Sequence, residues 1–168
     1  MTINVPPATT GIIILHPFLV PLFDELGLLK EEQFLNSFAR LKAFAVLHYI
    51  TFGNESVPAQ SEVFFKFLCG IEPTDFIQEV VALSDEEIKM IRECLTAFLA
   101  HWSALKNTSV QSLRTSFFQR QGSLSKDGAR IKIHLEGSAM DILLDQYPWN
   151  LSVIKLPWIK PLLYISIG

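Results

Sequence analysis

The apolar residues of this chain change their period at Gly122. Before it they recur every three to four positions, the spacing of one helix face; after it they alternate, the spacing of one strand face. In "SLSKDGARIKIHLEG", Asp127-Gly128 separates two short runs. Ile131, Ile133 and Leu135 point one way, and Arg130, Lys132, His134 and Glu136 point the other. That pattern is a hairpin with one core face and one wet face. The stretches 151–154 and 162–167 read as further strands. The expected fold class is α+β: a helical N-terminal two-thirds (helices about 17–122) packed with a small antiparallel β-sheet at the C-terminal end (strands about 123–167).

The helical part is punctuated by its caps. "HPFLVPLFDELG" reads as a short helix with Pro17 at its first position and Gly27 just past its end. Ile12-Ile13-Ile14 before it reads as a strand or as buried chain, and periodicity does not separate the two. "KEEQFLNSFARLKAFAVLHYITFG" predicts a helix whose apolar face carries Phe34, Phe38, Leu41, Ala45, His48 and Phe52. Glu31 and Glu32 suit its N-terminal end and Gly53 its left-handed cap. A third helix is expected from about Pro58 to Cys69, and "IEPTDFIQEVVAL" is ambiguous. "SDEEIKMIRECLTAFLAHWSAL" opens with a capping box, Ser84 and Glu87, and stacks Ile88, Ile91, Leu95, Phe98, Trp102 and Leu105 on one face. "SVQSLRTSFFQRQG" extends from Ser109 as cap to Gly122.

At 168 residues the chain is one domain by size, long enough to bury roughly 70% of its unfolded surface. Residues 1–10, with Pro6-Pro7, read as an extended lead-in or linker, and residues 11–168 as a single compact domain. No apolar run reaches the ~18 residues of a membrane span, and no basic residue precedes "GIIILHPFLVPLF" as a signal peptide requires. A cytoplasmic chain is therefore expected. Its cysteines, Cys69 and Cys94, are read as a reduced pair, and its Asn-x-Ser sequons at Asn54, Asn107 and Asn150 as silent. Residues 1–100 carry 6 basic and 13 acidic side chains, net −7; residues 101–168 carry 8 and 4, net +4. Neither part has the Lys/Arg stripe of a nucleic-acid binder.

Chemistry is thinly represented. The four histidines (His16, His48, His101, His134) lack metal-ligand spacing, so no metal site is expected. There is no phosphate loop and no nucleophile elbow, and no cofactor is expected. Asp141 and Asp145 in "MDILLDQ" would share a helix face as an acid/base pair. A structural reading accounts for them better, as caps of backbone amides or as partners of Arg114 or Arg120. No catalytic residue is assigned, and the chain is not expected to be an enzyme.

The order of blocks carries more. "HPFLVPLFDELGLL", "LHYITFG", "FKFLCGI", "HWSALKNTSVQSLRTSFFQRQG" and "MDILLDQYPWNLSVIKLPWIKPL" follow one another over about Gly11 to Ile165. Together they resemble the shared region of contractile injection system tape measure proteins, components of phage-tail-like particles that drive a spiked tube into a target cell. The resemblance implies a structural role, with tube, spike/hub or baseplate components as partners and no membrane insertion. It departs from the family in length. Even one continuous helix of this chain would span only ~250 Å, and a compact fold has a radius of gyration of about 15 Å. The chain thus reads as a terminal domain of a ruler or as a short relative that kept the anchor.

The closing stretch places Pro148-Trp149 and Pro157-Trp158 nine residues apart. Each proline fixes the backbone before a large anchor. Trp149, Trp158, Lys155 and Lys160 are therefore the candidate protein interface, with core burial of both indoles as the alternative reading. Trp102, on the 88–105 face, is expected in the core. Three functions stay open at this point: an assembly domain, a cytoplasmic chaperone or adaptor for a tube component, and a small hydrolase or ligand-binding protein using Asp141, Asp145 and His101.

Overall fold

The structure, a computed structural model, describes residues 2–4, 9–54, 62–77 and 81–168. The Pro6-Pro7 lead-in, the start of the helix expected from Pro58 and part of the ambiguous "IEPTDFIQEVVAL" lie outside the described residues. The chain is α+β. Strand β1 (Thr2–Asn4) is followed by a 3-10 helix (Thr10–Leu15), then α1 (His16–Glu25), β2 (Leu29–Lys30), β3 (Gln33–Phe34) and α2 (Ser37–Phe52). Helices α3 (Glu62–Leu68), α4 (Asp85–His101) and α5 (Val110–Leu113) come next, α5 running on into a π-helical turn (Arg114–Phe118). Strands β4 (Gly122–Asp127) and β5 (Arg130–Leu135), a 3-10 helix (Ala139–Gln146), β6 (Val153–Ile154) and β7 (Leu163–Ile167) complete it.

The change of period at Gly122 marks the onset of the main sheet, whose order is β1-β4-β5-β7-β6. Asp127 pairs with Arg130, leaving Gly128-Ala129 as the two-residue loop, with Gly128 at φ 63. Glycine at the first loop position matches the twist of the flanking strands. Ile131, Ile133 and Leu135 are buried, while Arg130 and Lys132 are exposed. The sheet departs from the expected antiparallel form in one ladder: β7 pairs parallel with β5, Ile133 opposite Ile165. A parallel neighbour needs a long crossover, and residues 136–162 supply it. Two other strand pairs were not expected, one using the lead-in and one in the part expected to be helical. β1 extends the main sheet on β4, Ile3 opposite Leu124, and β2 and β3 make a separate hairpin.

That small hairpin corrects the start of the second helix. Leu29 pairs with Phe34 and Lys30 with Gln33, so Glu31 and Glu32 are the two loop residues, at φ 51 and 63. Two positive φ values in succession make a tight reversal, and the glutamates are not a helical first turn. α2 begins only after Asn36, whose Oδ1 accepts the Ala39 N–H at 2.8 Å. Phe34 consequently lies in a strand, and Phe38 is 59% exposed. From Ala43 to Thr51 every residue is buried. α2 is a central helix enclosed on all sides, which is why a single apolar face describes it poorly.

Other termini follow the caps. Gly53 closes α2 at φ 77, and Gly27 follows α1 at φ 76. The Ser84–Glu87 capping box is present at the start of α4. Ile12, Ile13 and Ile14 belong to the first 3-10 helix and are completely buried, between α1 and the sheet. Gly122 does not terminate a helix. It opens β4, where a Cβ would sit 2.2 Å from the His134 carbonyl oxygen. Gly11 has the same role against the π-helical turn: a Cβ there would be 1.8 Å from the Phe117 oxygen. Both glycines let two backbones touch.

Candidate functional site

The segment from Tyr147 to Lys160 wraps around α1, and each of its anchors has an identifiable partner. It starts from the 3-10 helix Ala139–Gln146, capped by Ser138 and Asp141 in a reciprocal box. Asp141 Oδ2 accepts the Ser138 N–H at 2.9 Å, and its Oδ1 accepts from Arg120 Nη1 at 2.5 Å. Arg120 is only 6% exposed and also donates to the Ser116 carbonyl. The carboxylate therefore ties the segment to the π-helical turn. The structural reading of Asp141 is the one the geometry supports. Asp145 is exposed, and a 3-10 helix of three residues per turn does not put it on the face of Asp141, contrary to the shared face expected from a regular α-helix.

Beyond that helix the aromatic residues engage. The Tyr147 hydroxyl donates to the Ile14 carbonyl at 2.5 Å, and burial pushes the phenol's pKa up. Trp149 lies parallel to Phe98, with Phe18 edge-on at 5.3 Å and Tyr147 edge-on at 5.2 Å. His16 Nε2–H donates to the Asn150 carbonyl at 2.7 Å. Asn150 Oδ1 accepts the N–H groups of Ser152 and Val153, turning the chain into β6. Gln33 Nε2 then donates to the Pro157 carbonyl at 2.8 Å. Trp158 Nε1 donates to the Leu68 carbonyl at 2.7 Å, and its ring packs on Phe34 (4.9 Å) and Phe23 (5.7 Å).

The two Pro-Trp units thus grip α1 at opposite ends, Trp149 on Phe18 and Trp158 on Phe23. They occupy separate aromatic clusters. Both indoles are half-buried. Trp102 is fully buried and donates to the Leu143 carbonyl at 3.1 Å. Lys155 turns its ammonium back onto the Ile159 and Lys160 carbonyls at 2.5 and 2.6 Å. Lys160 is exposed, as is Leu162 two residues on. Sequence reasoning found the tryptophans but missed Phe18, Asn150 and Gln33, whose roles depend on contacts more than a hundred residues away in the chain.

The residues of the hydrolase reading do not assemble. His101 Nδ1–H donates to the Ala97 carbonyl at 2.7 Å, within its own helix, and no hydrogen bond among the described residues joins it to Asp141 or Asp145. His48 is buried against Phe52 and donates through Nδ1 to the Asn54 carbonyl. His134 spans from Ser166 Oγ to the Gly168 carbonyl. Both cysteines are free, and burial raises both thiols, Cys94 to about 12. Neither is a nucleophile at neutral pH. Among the described residues no cluster of His, Cys, Asp or Glu is arranged to hold a metal ion, and no helix is long and apolar enough to cross a membrane.

The geometry is that of a packed domain whose closing segment joins α1 and α4 to the sheet. Residues 4–167 match the model of the contractile injection system tape measure protein family. The chain belongs to that family. Searches of the curated proteins and of the solved structures found no match. For this family member, the matched region takes in α1, the aromatic clusters and the whole Tyr147–Lys160 wrap.

Proposed function

We propose that this chain is a non-enzymatic assembly domain of a phage-tail-like particle. It contributes to setting tube length and docks at the tube/baseplate end, on a tube, spike/hub or baseplate component. The observation that carries this reading is the family match over nearly the whole chain. The docking face is the outer side of the closing segment: the exposed edges of Trp149 and Trp158, with Lys155 and Lys160 at the rim. Aromatic anchors are enriched at interface centres and polar groups at rims. The neighbouring Leu162 and Val153 are 44% and 38% exposed, which adds apolar area to that face.

Two measurements test the proposal. Mass spectrometry of purified particles should detect the chain; its absence from finished particles would replace this reading with that of an assembly chaperone in the cytoplasm. Lys160→Glu combined with Leu162→Asp changes two exposed side chains and should leave thermal unfolding within about 0.5 kcal/mol of the parent while reducing incorporation. Normal incorporation of that folded variant would remove the docking face from the account.

A further inference from the structure

Two arginines converge on Tyr49 of α2, and neither has a carboxylate partner among the described residues. Arg92 of α4 donates through Nη2 to the Tyr49 hydroxyl at 3.4 Å. Arg114 of the π-helical turn stands over the same tyrosine ring, its guanidinium carbon 5.9 Å from the centroid. Its Nε–H caps the Ile50 carbonyl at 2.9 Å, and its Nη1 lies beside Gly53, where a Cβ would meet it at 3.1 Å. Arg114 is therefore held in place by backbone contacts, and no acid holds it. Tyr49 is 7% exposed.

What sets this pair apart from the chain's other cations is that both guanidinium groups engage one tyrosine. Lys42, Lys89, Arg120 and Lys132 each have a carboxylate partner. Among the described residues Arg92 and Arg114 have none, and neither guanidinium has a polar contact beyond those already given. The helical neighbours three and four positions from Arg92 are Ile88, Lys89, Leu95 and Thr96, so none is acidic. Burial and the like charge of Arg92 both pull the Arg114 guanidinium's pKa down, and only Tyr49 opposes them. Arg92 is exposed and Arg114 half-buried, so water screens part of their repulsion, and an arriving anion would remove what remains.

We propose that Arg92, Arg114 and the Tyr49 hydroxyl form a binding site for an oxyanion of the carboxylate or phosphate class. Guanidinium forks match the paired oxygens of either group, and a phenol hydroxyl supplies a third donor. The carboxylate source would be an acidic segment of a partner protein, and the phosphate source a free ion. The site is independent of the docking face proposed above, and either can fail alone.

Thermal unfolding of the whole chain at constant ionic strength, balanced with chloride, tests the site with two probes: inorganic phosphate and a blocked tetra-glutamate peptide. At roughly tenfold the dissociation constant, the bound anion should raise Tm by about 3–6 °C. Arg92→Gln should abolish the rise, and Tyr49→Phe should weaken it. Without anion, Arg92→Gln should unfold at the parent temperature or higher, because a repulsion is removed. A rise with the peptide at lower concentration than phosphate identifies a protein carboxylate as the source; the reverse identifies phosphate. No rise with either probe, an equal rise in Arg92→Gln, or an unliganded Arg92→Gln clearly less stable than the parent would overturn the proposal.

Discussion

The indole of Trp149 lies flat on the ring of Phe98, centroids 5.1 Å apart and planes 9° from parallel. Phe98 belongs to α4 and Trp149 to the closing segment, so this stack joins the helical layer to the crossover that leads into β7. Aromatic pairs add about 0.5–1.5 kcal/mol beyond the area they bury.

Truncating these anchors should therefore weaken the fold without abolishing it, since both indoles are only half-buried. Trp149→Ala is expected to cost about 2–4 kcal/mol, and Trp149→Phe much less. Trp158→Phe should cost about 1 kcal/mol, because the Leu68 carbonyl loses its donor while ring packing on Phe34 survives. Urea unfolding with an unchanged m-value measures both. If Trp149→Ala unfolds at the parent midpoint, the stack has no structural role.

The two aspartates should separate sharply. Asp141 neutralises a nearly buried arginine and caps the Ser138 amide, whereas Asp145 is exposed. Asp141→Ala leaves Arg120 unpaired and should cost about 3 kcal/mol or more; Asp145→Ala should stay within about 0.5 kcal/mol. Equal effects in a denaturation series would refute the structural assignment of Asp141.

Glu31 and Glu32 hold backbone angles that side chains adopt at a cost of roughly 1–2 kcal/mol each. Replacing them with Asn-Gly, the pair best suited to this reversal, should raise stability by about 1 kcal/mol. A loss of stability on calorimetry would mean the loop is not a reversal of this kind.

This loop also shows where the sequence was readable. The change of period at Gly122, the Asp127-Gly128 hairpin, the Ser84–Glu87 box and the caps at Gly27 and Gly53 are local signals, and each corresponds to the element it foretold. Gly122 itself opens a strand and does not end the helix expected before it. "KEEQF" carries no glycine or asparagine, so nothing local marked its turn, and helix propensity took its place. The parallel β5–β7 ladder was hidden for another reason. Strand alternation reports faces, and pairing direction depends on the crossover's path, which contacts such as His16 with Asn150 and Trp158 with Leu68 fix over long separations. The same holds for the closing segment: residue type gave the anchors, but only the fold shows that both tryptophans grip α1.

Acid should destabilise the domain through its buried histidines. Burial lowers the pKa of His16 and His48 below their ordinary value of about 6.5, with their backbone hydrogen bonds acting weakly the other way. The unfolded chain then binds protons more readily, so stability is complete above that value and declines as pH falls through it. His48 Nε2 is buried without a partner, which makes its protonation unfavourable in the fold. Unfolding free energies between pH 7.5 and 5 should fall, and His48→Leu should flatten the profile; a rise toward pH 5 would contradict the sign.

If this member of the tape measure family acts in building the injection particle, losing it must change the particle's tubes. The most direct measurement is the length distribution of particle tubes by electron microscopy, with the chain's gene intact, deleted and restored. Deletion should abolish particles or broaden tube lengths, and restoration should recover a single narrow length. Uniform, parental-length tubes in the deletion would contradict it.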